Sequence, residues 1–231
     1  MIQVTNLSKA YAGTKVLDIQ SLEIGVGQSF GLVGNNGAGK TTLFRLILDL
    51  IQPTSGQVFS KGEDVAKTEK WKHFTGSYLD EGFIIDFLTP NEYFEFVASL
   101  NHMSKGDTEL FYERFHDFFN DEILGKKKYI RDLSKGNQKK VGIAAALMAN
   151  PEILILDEPF TNLDPSSQIR LKNLLRTEQE NRKVTMLISS HDLNHVTEVC
   201  DRIVVLEKGK VVHDLQTNEG TLETLEAYFA V

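Results

Sequence analysis

Residues 34 to 42 have the sequence GNNGAGKTT, which fits the pattern G-x-x-x-x-G-K-[ST] through Gly34, Gly39, Lys40 and Thr41. Glycines in such a loop let backbone N–H groups curl around phosphate oxygens, the lysine neutralises phosphate charge, and the threonine hydroxyl suits Mg²⁺. The loop follows an apolar strand-like run and precedes KTTLFRLILDL, whose apolar residues have helical spacing. The alternative is a merely flexible glycine turn. Strand, glycine loop and helix in this order favour a phosphate site, which indicates a nucleotide-binding protein.

Further apolar runs predict a layered α/β fold. EILILDEP and VTMLISSH have the character of buried strands, and RIVVLEKGKVVHDL predicts a hairpin that turns at Lys208 and Gly209. Buried strands that alternate with helices predict a mixed, largely parallel sheet. Short strands and turns dominate the first sixty residues, whereas residues 85–150 have helical character. We therefore expect a helical insertion between two parts of an α/β core.

Two amphipathic helices are predicted inside that insertion. Thr89, Pro90 and Glu92 form a capping box with proline at the first helical position. The apolar face of this helix is predicted to carry Tyr93, Phe96, Val97 and Leu100. The next helix has a phenylalanine stripe, for which core packing is favoured over a cofactor site. The stripe consists of Phe111, Phe115, Phe118 and Phe119.

Composition and charge exclude several classes of protein. The net charge of −7 lacks the basic footprint of a nucleic-acid-binding protein, and Lys126 to Lys128 are expected to form a solvated turn. Cys200, the single cysteine, is expected to be a buried apolar residue in a reducing compartment. No run approaches 18 apolar residues, and the first residues show no pattern of a signal peptide. A cytoplasmic location is expected.

Acidic and imidazole side chains follow two of the predicted strands. Asp157 and Glu158 come at the end of ILIL, and His191 follows LISS. In parallel sheets the carboxyl ends of strands line the ligand crevice. Because adjacent strand residues point in opposite directions, Asp157 is predicted to hold Mg²⁺ and Glu158 to polarise the attacking water. His191 is predicted to contact the γ-phosphate and that water. Two solvated acids that close a strand are the alternative interpretation.

The order and spacing of these motifs resemble the ATP-binding subunit of an ABC transporter over essentially the whole chain. The family's motifs match Walker A at 34–41, the signature at 133–138, Walker B at 153–158, the D-loop at 161–164 and the switch histidine at His191. The resemblance implies a single domain, 1–231, with a nucleotide-binding α/β core and an antiparallel β subdomain at 1–84 and 151–231. A helical signature subdomain would occupy 85–150. The resemblance thus implies an α/β fold class, with a P-loop NTPase core of the ABC ATPase type.

The resemblance also implies roles for individual residues. Catalysis would involve Glu158, His191 and Lys40, and Mg²⁺ would be held by Thr41, Asp157 and Glu81. In the family the signature of one subunit caps the γ-phosphate bound by the other, so Ser134 and Gly136 would serve a partner's ATP. Tyr11 resembles the aromatic residue that stacks on adenine. Phosphate contacts would come from Asn35, Asn36, Gly37, Ala38, Gly39, Lys40, Thr41 and Thr42.

Two departures from the family pattern bear on mechanism and direction. The signature is LSKGNQ rather than LSGGQ, with Lys135 and Asn137 at the changed positions, and this variant favours an export-type subfamily. Glu81 stands where a glutamine is typical. A carboxylate can ligate Mg²⁺, but when it is ionised it cannot donate a hydrogen bond.

The expected function is an ATP-hydrolysing motor subunit that dimerises around two ATP and drives a separate transmembrane permease from the cytoplasmic face of the membrane. Its partners would be that permease and a second copy of the chain. Phe83, Ile84 and Phe87 would line the groove that receives the permease, and self-burial of these side chains is the equal alternative. An ABC ATPase in a non-transport role, either membrane mechanical signalling or a soluble assembly scaffold, is the second functional hypothesis.

Overall fold

The structure is a computed structural model that describes residues 1–230, with the exception of the side chain of Glu81. The strands are β1 Ile2–Tyr11, β2 Thr14–Ile24, β3 Ser29–Val33, β4 Ser55–Ser60, β5 Glu63–Asp64, β6 Thr75–Tyr78, β7 Ile153–Leu156, β8 Thr185–Ser190, β9 Arg202–Glu207 and β10 Lys210–Gln216. The helices are α1 Lys40–Ile47, α2 Pro90–Leu100, α3 Lys105–Phe119, α4 Lys135–Met148, α5 Pro165–Arg182, α6 Leu193–Val199 and α7 Thr221–Phe229.

Two sheets organise these elements. The first is antiparallel with strand order β2-β1-β4-β5, and the second has strand order β10-β9-β3-β8-β7-β6. In the second sheet the strands from β9 to β6 pair in parallel, and β10 pairs with β9 in the antiparallel sense. The predicted α/β class with a mixed, largely parallel sheet and an antiparallel N-terminal sheet is therefore confirmed. The carboxyl ends of β3, β8 and β7 lie side by side at one edge.

Both faces of the central strands β3, β7 and β8 are buried, which is why each of them carries adjacent apolar residues. In β7, Leu154 and Leu156 belong to a core shared with the helices from α2 to α7, whereas Ile153 and Ile155 face a second core. That second core lies between the parallel sheet, α1 and the antiparallel sheet. Since the helices of the 85–150 segment share their core with the sheet, they have no separate core. Division of the chain at residues 85 and 150 remains a prediction.

Helix α2 shows where local patterning succeeds and where it fails. The capping box is present: Thr89 accepts a hydrogen bond from the main-chain N–H of Glu92, whose carboxylate bonds back to Thr89. Of the predicted apolar face, Tyr93 and Val97 pack against the core, whereas Phe96 and Leu100 are exposed. The buried residues of this helix are Pro90, Phe94 and Ala98. Apolar residues occur on most sides of this helix, so tertiary contacts decide which side is buried. The Phe94 ring packs 5.1 Å from that of Phe111 in α3.

Three further predictions about burial agree with the structure. All four phenylalanines of the α3 stripe are buried, as predicted for core residues. Lys126 to Lys128 are exposed, as predicted, but they lie in an irregular loop rather than in a turn. Cys200 is buried, and burial raises the pKa of its thiol to about 12, so the thiol stays protonated. The predicted interpretation of Cys200 as an inert buried residue agrees with this environment.

Close contact between β6 and α4 depends on Gly76. A methyl group at residue 76 would overlap the main-chain oxygen of Ala146 in α4. We therefore expect Gly76→Ala to lower the free energy of unfolding by about 1–3 kcal/mol, as overpacked cores do. Gly25→Ala is the matched control, because a methyl group there meets no atom within 4 Å. Thermal unfolding of both variants checks the prediction, and equal melting temperatures would contradict it.

Candidate nucleotide-binding site

The glycine loop lies between β3 and α1 and exposes its backbone. Gly37 and Gly39 have φ values of 82° and 108°, a region that favours glycine. Asn35, Asn36 and Gly37 are exposed, and a methyl group on Gly37 would meet no atom within 4 Å. Gly39 is the N-cap of α1, where no side chain caps the helix and no acidic residue lies in the first turn. An anion therefore fits at this helix N-terminus.

Lys40 is the cation of this loop. Its side chain is only 7% exposed, and its Nζ donates a 2.6 Å hydrogen bond to the main-chain oxygen of Gly34. The same Nζ lies 3.5 Å from Glu158 Oε1. Because a buried ammonium needs oxygen partners, these contacts hold Lys40 at the loop. Ala38 is buried behind the loop, and Thr42 is half-buried in the first turn of α1.

Thr41 and Asp157 meet directly, although 116 residues separate them. The Thr41 hydroxyl donates a 2.5 Å hydrogen bond to Asp157 Oδ2, and Ser189 Oγ donates to Asp157 Oδ1. Asp157 is 5% exposed, and this burial raises the pKa of its carboxyl, while the bonds from Ser189 and Thr41 act in the opposite direction. The pair provides two oxygen ligands for a hard cation at the loop.

Few protein groups at the loop could bind Mg²⁺, and Mg²⁺ needs only a few protein ligands. Among residues 1–230, with the Glu81 side chain left out, no cluster of three His, Cys, Asp or Glu residues could hold a metal. Mg²⁺ usually keeps several waters and binds one or two protein groups together with phosphate oxygens. Thr41 and Asp157 fit that requirement. Glu81 begins a short 3₁₀ turn after β6, and its side chain lies outside the described part, so its metal role stays a prediction.

The sequence predicted that Asp157 and Glu158 point in opposite directions as adjacent strand residues, and this reason is wrong for Glu158. Strand β7 ends at Leu156, so the alternation of strand side chains does not separate Asp157 from Glu158. Instead, Glu158 has a left-handed backbone with φ 47°, and its carboxylate turns toward β8. Nδ1 of His191 lies 2.8 Å from Glu158 Oε2. Lys40, Glu158 and His191 thus converge at one edge, as the sequence predicted.

Residues assigned to adenine and to a partner's nucleotide lie elsewhere. Tyr11 ends β1 with half of its surface exposed, and Lys9 Nζ lies 4.9 Å from its ring centroid. Ser134 is the exposed N-cap of α4 and accepts a 3.2 Å hydrogen bond from the N–H of Asn137. A methyl group on Gly136 would lie 2.8 Å from the Asn162 oxygen. The start of α4 therefore packs closely against the 161–164 segment.

Two site residues were missed by the sequence reasoning. Ser189 binds Asp157 and also accepts a 2.9 Å hydrogen bond from the main-chain N–H of Glu158. Lys139 of α4 reaches the main-chain oxygen of Glu158 at 2.8 Å. The available signals were a polar residue in a buried strand for Ser189 and a lysine in the first turns of an alanine-rich helix for Lys139. Neither signal indicates that the residue contacts Glu158.

This geometry defines the class of P-loop nucleotide-binding proteins, and comparison with known proteins supplies the family. The family model described as ABC transporter matches residues 17–161. An uncharacterized ABC transporter ATP-binding protein of Methanocaldococcus jannaschii is 37% identical over 92% of this chain and 76% of that protein. A methionine import ATP-binding protein of Carboxydothermus hydrogenoformans is 34% identical over 93% of this chain and 66% of that protein.

A solved structure agrees with these relatives. An ATP-binding subunit of an ABC transporter has a TM-score of 0.84 at 26% identity, over 100% of this chain and 93% of that one. The chain belongs to the ABC transporter family, as an ATP-binding subunit. It spans about two thirds to three quarters of the length of the two relatives named above. Within residues 1–230, no helix has the length and apolar character needed to cross a membrane.

Proposed function

We propose that this chain is the ATP-hydrolysing motor subunit of a transporter, which dimerises around two ATP and drives a separate transmembrane permease. The observation that carries hydrolysis is the Glu158 carboxylate, 2.8 Å from His191 Nδ1 and 3.5 Å from Lys40 Nζ. The three side chains lie together at the carboxyl edge of one sheet. A carboxylate base, an imidazole and a phosphate-binding lysine are together suited to activating water beside a triphosphate. ATP is the substrate implied by the family.

In the proposed mechanism each residue has one task. Lys40 neutralises charge on the β- and γ-phosphates, and the loop N–H groups orient them. Ionised Glu158 accepts the proton of the attacking water, and His191 holds the Glu158 carboxylate in place. Thr41 and Asp157 would hold Mg²⁺, with Glu81 as a further proposed ligand. When bound, the metal supplies charge stabilisation at the phosphate oxygens.

Dimerisation follows from the incomplete enclosure of a triphosphate by one loop. Ser134 and Gly136 lie at the N-terminus of α4, whose first turn carries no acidic residue. We propose that this turn caps the γ-phosphate held by the partner copy, so that ATP joins the two subunits. Hydrolysis removes the shared group, and the dimer opens. Tyr11 would stack on the adenine ring.

An exposed aromatic pair supports the permease contact. Phe83 and Phe87 are 56% and 61% exposed, whereas Ile84 is buried, so the proposed groove carries the two phenylalanines at its surface. A location at the cytoplasmic face of the membrane follows from this contact. The direction stays a prediction: the LSKGNQ signature favours export, and one relative is named for import.

Phe83→Ser combined with Phe87→Ser should abolish co-sedimentation with membranes that contain the permease. Hydrolysis of ATP by the purified subunit should stay unchanged, because neither phenylalanine is assigned to the nucleotide site. Val26→Ser is the matched control, since Val26 is 75% exposed and lies in the turn before β3. Loss of folding together with both activities would contradict the docking role, as would undiminished co-sedimentation of the double variant.

Purification of the chain with its natural partners tests transport against the second hypothesis. Recovery with a multi-span membrane protein supports the motor subunit. Recovery in a fully soluble complex supports an assembly scaffold instead. A membrane partner that binds no solute would support mechanical signalling.

A further inference from the structure

Lys139 is a buried cation that contacts the segment carrying Glu158. Its side chain is 5% exposed, and its Nζ donates hydrogen bonds of 2.8 Å to the main-chain oxygen of Glu158 and 2.6 Å to Thr161 Oγ1. Burial of an ammonium group is unfavourable unless oxygen atoms replace its water. Since Lys139 belongs to α4, these bonds tie the helix that begins at Ser134 to the segment that carries Glu158.

The backbone of Glu158 is held from two sides. Its N–H donates to Ser189 Oγ of β8, and its oxygen accepts from Lys139 of α4 and, at 2.8 Å, from Thr161 Oγ1. A non-glycine residue with φ 47° occupies a sparsely populated conformation that surrounding contacts have to maintain. The direction of the carboxylate toward His191 depends on this backbone conformation. The contacts of Lys139 therefore act on the proposed base without touching the substrate.

We propose that Lys139 is a positioning residue for Glu158, which holds the left-handed backbone that directs the carboxylate to His191. This inference rests on the proposed ATPase function. Ser134 precedes Lys139 by five positions, about 7.5 Å along the axis of α4. The helix turn proposed to bind a partner's ATP is thus mechanically connected to the base of its own subunit.

The kinetic test compares two neighbouring buried lysines of α4. Lys139→Met should lower kcat by about tenfold to a hundredfold, as expected for a displaced catalytic group, and leave KM for ATP unchanged. Lys139→Arg should restore most of kcat, because a donor is retained. Lys140→Met is the control: Lys140 is also buried, but its Nζ pairs with Glu122 at 3.2 Å. This control should lower the melting temperature and leave the kcat of the folded protein unchanged.

A crystallographic readout separates this inference from the proposed function. In nucleotide-free Lys139→Met, Glu158 should leave positive φ, and its carboxylate should separate from His191. If Glu158 keeps its conformation, the proposal is overturned whatever the kinetics. Equal kcat values for Lys139→Met, Lys140→Met and wild type would overturn it as well. If the wild-type chain proves unable to hydrolyse ATP, the proposed function fails, and the crystal structure still shows whether Lys139 holds Glu158.

A second variant keeps the test decisive if Lys139→Met does not fold. Thr161→Val removes the hydroxyl that bonds both Lys139 Nζ and the Glu158 oxygen, with little change in volume. It should lower kcat without a change in KM and shift the Glu158 carbonyl. Wild-type kinetics with an unmoved carbonyl would overturn the proposal.

Discussion

Glu158→Gln should reduce the rate of ATP hydrolysis by about 100- to 10,000-fold, the usual contribution of a general base. The amide matches the carboxylate in size and can still accept a hydrogen bond from His191, but it cannot take a proton from water. Binding of ATP should be retained, because the loop N–H groups and Lys40 remain in place. The proposed dimer should therefore accumulate in its ATP-bound form, since the step that opens it is blocked.

Phosphate release and light scattering in the presence of ATP and Mg²⁺ measure the two effects of Glu158→Gln. Glu152→Gln is the matched control at the opposite end of the same strand, because Glu152 directly precedes β7 and pairs with exposed Lys61. This control should hydrolyse ATP at the wild-type rate and remain monomeric after turnover. Near-wild-type turnover in Glu158→Gln would show that Glu158 is not the general base. Blocked turnover with no dimer would contradict the shared-nucleotide arrangement.

Lys40→Met should weaken ATP binding by about 10- to 100-fold and abolish measurable hydrolysis. A hydrogen bond to a charged group contributes about 1.5–3 kcal/mol, and each 1.4 kcal/mol corresponds to a factor of ten. In the nucleotide-free protein, methionine avoids the burial of an ammonium that is 7% exposed, so folding should persist. The loss of ATP binding and hydrolysis in Lys40→Met therefore reflects missing contacts with the phosphates and not unfolding of the protein.

A thermal-shift titration separates these two contributions for Lys40→Met. Ligands that bind only the folded state raise the melting temperature with concentration, so the ATP-induced rise should be smaller in the variant than in the wild type at the same ATP concentrations. Lys67→Met, which removes an exposed lysine paired with Asp64, is the control and should keep the full rise. An unchanged ATP-induced rise in Lys40→Met would show that the glycine loop is not the phosphate site.

Prediction from the sequence was most effective where structure is local. The phosphate loop is contiguous, and the Thr89 capping box spans four residues, so both follow from spacing alone. The placement of Asp157 and His191 at one edge also follows, because parallel strands end on the same side of a sheet. By contrast, the buried side of α2 depends on contacts such as that with Phe111 of α3, and of the four residues selected by the pattern only Tyr93 and Val97 pack against the core.

The sequence by itself therefore determined the fold class and the chemistry assembled at the sheet edge, since both depend on short-range spacing and on the geometry of parallel strands. Only the tertiary structure decided how that chemistry is held. The left-handed backbone of Glu158, its clamp by Ser189 and the reach of Lys139 from α4 join segments distant in the chain. Such contacts depend on where packed elements finally lie, and no local propensity encodes that position.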